Sequence, residues 1–251
     1  MKFQFLFYVA AAVVLLLGIW VSPVPAALED GLVGYYQFEG NDDGLKDSSG
    51  NDNHGRLQTA ERTNDGKFGK AIRFKTNQQG AIIPRSDSLM VKDKEFTVAF
   101  WAYPEKFDLA GENRAIYKHQ QYNVDLLHGG GRMEIRVANA WRGTGVGNVM
   151  GVNEWHLIVC TVIEETGTYY TDGVRQGQVQ GIFKIDPFES DIQIGFMSLN
   201  SYVGAMDELR IYNRGFDQDE VLELFELEPG EQSVKPRNSI TTTWGAIKHV
   251  P

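Results

Sequence analysis

The side chains best suited to chemistry in this 251-residue chain are oxygen donors gathered in one glycine-containing loop. Asp47-Ser48-Ser49-Gly50-Asn51-Asp52-Asn53-His54-Gly55 carries oxygen-bearing side chains at positions 47, 49, 51 and 53. Such a loop can fold side-chain and backbone oxygens around a hard cation, and Ca²⁺ takes about six to eight of them. A helical calcium-hand loop is excluded, because Gln58 stands where its bidentate glutamate belongs and no helical periodicity flanks the segment. Asx and Gly residues also build ordinary turns, so the loop alone leaves both readings open.

A second oxygen donor is Asp207. Strict alternation through Ala205–Tyr212 places Ala205, Asp207, Leu209 and Ile211 on one face and Met206, Glu208, Arg210 and Tyr212 on the other. On that pattern Asp207 shares a face with core residues. A buried carboxylate has to be protonated, paired with a cation or bound to a metal. A nearby arginine satisfies it; so does Ca²⁺ shared with Asp47, Asn51 and Asn53, with Glu39 as a further ligand, and the metal is the preferred reading.

Sugar recognition calls for exposed aromatic faces beside amide and charged groups. Trp141 with Arg142, in a stretch containing Gly143, Gly145 and Gly147, is the first candidate, and Tyr117, His119, Gln121 and Tyr122 form the second. Ordinary loop packing is the alternative for both. His54, His128 and His156 read as turn or sheet residues. Cys160 lies in an apolar run with no local base and reads as a packed small side chain.

These residues must be positioned by strands. Phe96–Tyr103 and Trp155–Val162 are apolar on both faces, as central strands are. Thr168–Thr171 and Val174–Gln176 flank Asp172-Gly173, a pair that supplies the positive φ angles of a type I′ hairpin. Ile192–Ile194 and Met206–Tyr212 complete the clear strands. One helix is expected, capped by Asp217 with Glu220 three residues later, carrying Val221, Leu224 and Phe225, and stopped by Pro229-Gly230. Many short strands and one late helix indicate an antiparallel β-sandwich.

Composition narrows the function. With 24 Lys plus Arg against 33 Asp plus Glu, the net charge of -9 opposes phosphate binding, so no nucleic-acid partner is expected. A single cysteine excludes an internal disulfide and a thiolate metal site. Residues 1–27 read as a signal peptide, with Lys2 before 17 uncharged residues from Phe5 to Val21 and a small-residue cleavage region at Val24-Pro25-Ala26. The alternative is an uncleaved N-terminal membrane anchor, since a full span needs roughly 20 residues. Both readings place the remainder in an extracytoplasmic space, with membrane contact only through that segment. Residues 230–251 read as an extended tail.

Six segments, taken in order, resemble one family. Gly34-Tyr35-Tyr36-Gln37-Phe38, Asp47-Ser48-Ser49-Gly50-Asn51 and Gly69-Lys70-Ala71-Ile72-Arg73-Phe74 are similar to the opening of the laminin-G-like jelly-roll domains in the concanavalin A-like lectin/glucanase group. Phe96–Trp101, then Tyr170-Thr171-Asp172-Gly173, then Gly204–Arg214 follow in the family's order, over 32–226. Gly215-Phe216 departs from the family's small residue and leucine. The resemblance implies a two-sheet antiparallel jelly-roll β-sandwich with one short C-terminal helix, and a calcium ion near one sheet edge. By position it puts the metal-site acids on Asp47 and Asp207, with Asn51 and Asn53 as lesser candidates.

Catalysis is disfavoured on the same residues. Glucanases of the group carry Glu-x-Asp-x-x-Glu on one strand, and the nearest approach, Glu189-Ser190-Asp191, has Ile194 in the third place. The expected function is a secreted or surface-exposed, non-catalytic binding module for glycan or glycoprotein with a structural Ca²⁺. A protein–protein adhesion module is the alternative, and a glycoside hydrolase ranks behind both.

Overall fold

The computed structural model describes residues 28–76, 79–91, 95–107, 113–127, 130–145, 150–182, 184–185, 187–195 and 202–227. The expected signal segment and tail lie outside the described residues, as does His128. In chain order the strands are β1 (Leu32–Tyr36), β2 (Gly44–Leu45), β3 (Gly55–Leu57), β4 (Glu61–Thr63), β5 (Ala71–Phe74) and β6 (Ala81–Ile83). They continue as β7 (Phe96–Lys106), β8 (Arg114–Lys118), β9 (Tyr122–Leu127), β10 (Gly130–Val137) and β11 (Ala140–Gly143). The last are β12 (His156–Ile163), β13 (Thr166–Thr171), β14 (Val174–Gln180), β15 (Ile192–Ile194) and β16 (Val203–Tyr212), before helix α1 (Gln218–Glu226).

All named pairings are antiparallel, and they form two sheets. Sheet A runs β14-β13-β12-β7-β16-β5-β4, with β1 also on β16; sheet B runs β11-β10-β9-β8-β15-β6-β3-β2. The expected jelly-roll sandwich is therefore present. Its main core lies between the sheets, where Val98, Phe100, Ile158, Cys160, Met206 and Leu209 of sheet A meet Ile116, Val124, Met133, Ile135 and Ile194 of sheet B. Cys160 is fully buried in that core, and burial pushes its thiol well up, so it packs as a small apolar group.

The local signals act as the side-chain chemistry requires. Asp172 and Gly173 take φ angles of 51° and 75° between β13 and β14, the left-handed pair of a two-residue hairpin. Asp217 accepts from the N–H groups of Asp219 and Glu220, and Glu220 accepts in return from the Asp217 N–H (3.0 Å), so the capping box closes. Val221 and Leu224 of α1 then settle on the outer face of sheet A, with Ala99, Trp101, Leu157, Val159 and Phe216.

Strand β16 corrects the alternation. Asp207 pairs with Trp101 and Arg210 with Ala99, so two residues, Glu208 and Leu209, oppose Phe100 alone. Glu208 sits at φ 54° in this bulge. The extra residue reverses the parity: Met206, Leu209 and Ile211 face the main core, while Asp207 and Arg210 share the outer side with their partners Trp101 and Ala99. Asp207 is buried, as expected, but not beside Leu209 and Ile211.

Candidate functional site

The Asp47–Asn53 loop satisfies itself. Asp47 Oδ1 accepts from the N–H groups of Tyr35 and Ser49, and Oδ2 accepts from Ser49 Oγ and the Asn53 N–H, all at 2.9 Å. Each carboxylate oxygen thus has two donors, which fills its two lone pairs. Asn51 Nδ2 donates to the Leu32 carbonyl (3.1 Å) and Asn53 Nδ2 to the Val33 carbonyl (2.7 Å), while the Asp47 N–H donates to His54 Nδ1 (3.0 Å). The loop is a clamp on β1. Asp47 does not fit a cation, because its carboxylate points at four hydrogens.

Glu39 and Asp207 stand otherwise. Each Asp207 oxygen accepts one backbone N–H, from Glu208 to Oδ1 (2.8 Å) and from Phe68 to Oδ2 (2.9 Å), leaving each an open lone pair. Burial, together with the neighbouring charges of Glu208 and Glu39, pushes the Asp207 carboxyl up to about 8, against the pull of the two N–H donors. Burial raises the Glu208 carboxyl as well, with Arg210 (2.8 Å) and the Tyr35 hydroxyl (2.5 Å) pulling the other way without cancelling the rise. Nearby, Glu39 Oε1 accepts from the Lys70 N–H at 2.9 Å. Gly69 beside it takes φ 69°, a left-handed backbone that glycine adopts without strain. Hard oxygen donors with open lone pairs suit Ca²⁺, and Glu39 with Asp207 are the residues that would hold it. Among the described residues no three of His, Cys, Asp and Glu form a ready metal group.

The aromatic candidates fall on sheet B. Register places Tyr117 of β8 opposite Asn123 of β9, and Asn123 opposite Glu134 of β10, which faces Gly143 of β11. One step along, Arg136 pairs with Trp141 and its guanidinium lies 5.8 Å from the Trp141 ring. These side chains project from the outer face, since Ile116, Val124, Met133 and Ile135 between them point into the core. Tyr117 and Trp141 lie three strands apart, roughly 14 Å at the usual sheet spacing. Tyr117 continues into a small aromatic group: its hydroxyl meets His119 Nδ1 at 2.6 Å, and His119 packs edge-on against Phe188. Trp141 and Phe188 are both about two-fifths exposed, at 40% and 43%.

Polar groups fill the interval. Asn123 Nδ2 donates to both oxygens of Asp125 and to Glu134 Oε2. Asn123 Oδ1 is buried without a hydrogen-bond partner. Asp125 is fully buried and paired with Arg114 (3.3 Å) and Arg132 (3.1 Å). Two sequence candidates do not join this strip. Tyr122 is 1% exposed and stacks on Phe96 in the core, 4.8 Å between centroids, so it offers no face to a sugar. Arg142 pairs with Ile135, which points inward, so alternation along β11 turns it away from Trp141. Gln121 is buried too. Glu134 and Arg136 join the strip, and the alternation of Met133, Glu134, Ile135 and Arg136 is the sequence signal for them, while Asn123, 1% exposed, lies beneath.

Among protein families, the profile described as the concanavalin A-like lectin/glucanases superfamily matches residues 75–222, more than half of the chain. The chain belongs to this superfamily. A comparison with curated proteins finds no match. Among solved structures, this member of the superfamily is similar to the binding domain of Paraclostridial Mosquitocidal Protein 1. The TM-score is 0.66 at 19% identity, covering 78% of this chain and 52% of that one. The chain therefore spans about half the length of that domain. It is also similar to domain 4 of an extracellular GH43 arabinanase from Geobacillus stearothermophilus, a structure in complex with arabinotriose, with TM-score 0.63 and 21% identity over 78% of this chain and 98% of that domain. A Trypanosoma rangeli sialidase in complex with the inhibitor DANA aligns at TM-score 0.57 and 18% identity, over 77% of this chain and 32% of the enzyme. At these identities the likeness is one of fold.

Proposed function

We propose that the protein is a secreted or surface-exposed, non-catalytic carbohydrate-binding module of the concanavalin A-like lectin/glucanase superfamily. The observation that carries the reading is the polar strip on the outer face of sheet B, bracketed by Tyr117 and the exposed Trp141 and presenting Glu134 and Arg136, with the buried Asn123 beneath them. Aromatic faces stack on the C–H sides of sugar rings, and amide and charged groups bond the hydroxyls. The uncharged run from Phe5 to Val21 supports an extracytoplasmic address. The carboxylates of the strip support binding over catalysis. Asp125 is spent on Arg114 and Arg132, and Glu134 on Asn123 and Arg132, so neither is free to move a proton or attack a sugar.

A glycan array tests the reading. Binding to an extended saccharide that falls at least tenfold in Trp141→Ala is the expected result. An array with no bound glycan would overturn it and shift weight to a protein-adhesion role, while turnover of any polysaccharide would overturn the non-catalytic part.

The reading includes a structural Ca²⁺ held by Glu39 and Asp207. The ion would neutralise two carboxylates and pin the Phe68–Lys70 turn to β16. Chelator is expected to lower the melting temperature, and Asp207→Asn to remove most of that dependence. Melting curves indifferent to chelator and to added calcium would dispose of the ion.

A further inference from the structure

The outer face of sheet A holds a cavity of about 600 Å³ that none of the residues discussed above explains. Its floor follows from one small side chain. Register sets Ala205 of β16 between Arg73 of β5 and Tyr103 of β7, so a methyl group lies where the neighbours on both sides are long. Trp155, just before β12, leans on Tyr103 with ring centroids 5.4 Å apart and forms an aromatic wall. The opposite wall is the turn after β4, which brings Asn64 and Asp65 to the rim.

That turn is held in place. The Asp65 N–H donates to Thr63 Oγ1 (3.2 Å), the Gly66 N–H to the Gly69 carbonyl (3.1 Å) and the Phe68 N–H to Asp207 Oδ2 (2.9 Å). A Cβ on Gly66 would lie 2.7 Å from the Lys70 carbonyl, so the tight approach requires glycine. Asn153 completes the rim from a left-handed turn with φ 62°, its N–H donating to the Pro104 carbonyl at 2.7 Å.

The chemistry of the lining selects a ligand. The volume lies within the range of roughly 300 to 1,000 Å³ usual for small-molecule sites. An aromatic wall faces amides and a carboxylate, which suits a ring with apolar C–H edges and several hydroxyls. Arg73 pairs with Glu105 at 2.6 Å through one guanidinium nitrogen, while its Nε is buried without a hydrogen-bond partner, and Asp65 adds a second carboxylate, so the lining carries one more negative than positive charge. Acidic sugars are repelled by that balance. We propose that this cavity is a second saccharide site, which takes one or two units of a neutral glycan. It does not rest on the sheet B strip: it lies on the other sheet and uses none of the same residues.

The test uses the full chain with tryptophan labelled by 5-fluorotryptophan, titrated with methyl glycosides of neutral pentoses and hexoses and followed by fluorine NMR. Trp155→Phe assigns the Trp155 signal and Trp141→Phe the Trp141 signal. At least one neutral glycoside is expected to shift the Trp155 signal saturably while the Trp141 signal stays still. Asp65→Ala and Asn153→Gly are each expected to weaken that binding at least tenfold, with melting temperatures near the parent's. Glycine is chosen at 153 because it keeps the left-handed backbone while removing the amide. The proposal is overturned if no glycoside in the panel moves the Trp155 signal, or if both variants bind as the parent does. Tighter binding of a methyl uronoside than of its neutral parent sugar overturns the ligand class. Loss of array binding in Trp141→Ala bears on the strip alone, so the two readings fail separately.

Discussion

The two outer faces of the sandwich are built to opposite ends. On sheet A, β7 and β12 carry apolar residues on both sides, so Ala99, Trp101, Leu157 and Val159 emerge on a face that water would otherwise wet. Helix α1, Phe216 and Leu32 close over them and make a second core. On sheet B the strands alternate: Val124, Met133 and Ile135 point inward, and Asn123, Asp125, Glu134 and Arg136 point out. Antiparallel strands with one apolar face need no cover on the other. Sheet A has a polar hollow where Ala205 lies between larger side chains. The difference separates a face whose strands are apolar on both sides, and which is therefore covered, from one whose strands alternate.

Two tryptophans give the sharpest way to break this contrast. Trp101 is 3% exposed, stacked on Phe225 at 5.9 Å and set edge-on to Phe68. Trp101→Ala is expected to cost about 3–5 kcal/mol in denaturant unfolding, as large aromatic-to-alanine changes in cores do. Trp141→Ala, on the open face, should stay within about 0.5 kcal/mol of the parent while losing glycan binding. Equal losses of stability would mean that the sheet B face is also a packed surface.

A smaller effect should follow from the helix that covers sheet A. Asp217→Ala removes both accepted N–H bonds of the cap, and a loss of about 1 kcal/mol is expected, read by the shift of the urea midpoint. No shift would show that Val221 and Leu224 alone hold α1 down.

The smallest expected effect is a pH dependence on the rim of sheet A. Burial pulls the His156 pKa down, but Asp172, at 2.7 Å, and Glu154 outweigh it and leave it raised. A raised pKa means that the folded state holds the proton more tightly. The pair's contribution is therefore complete below the unfolded value of about 6.5 and is lost as pH rises through the higher folded value. Asp172→Asn keeps a residue tolerant of the left-handed backbone and should flatten the stability curve in that window. Parallel curves for parent and variant would remove His156 from the account.

Much of the frame was legible because short-range chemistry specifies it. Asp172-Gly173, the Asp217/Glu220 cap and the two-faced apolar runs at β7 and β12 each announce their own conformation. The site was less legible. Alternation predicts the burial of Asp207 but not its face, because one extra residue at Glu208 reverses the parity of a strand without leaving a mark in composition. Tyr122 and Trp141 look alike as aromatic candidates, but one lies against Phe96 and the other on an edge strand, a difference set by register with strands remote in sequence. Asp47 looked like a metal ligand by type and spacing, yet Tyr35, twelve residues away, supplies one of the four hydrogens that saturate it.

The sequence by itself determined an antiparallel two-sheet fold, a capped late helix, and which runs are apolar on one side or two. These follow from side-chain periodicity and from backbone preferences within a few residues. Only the tertiary structure decided which carboxylates keep open lone pairs, which aromatic rings face water, and where a lone methyl leaves a hollow between larger neighbours. Those outcomes depend on cross-strand partners from distant segments, and a bulge of one residue is enough to reverse them.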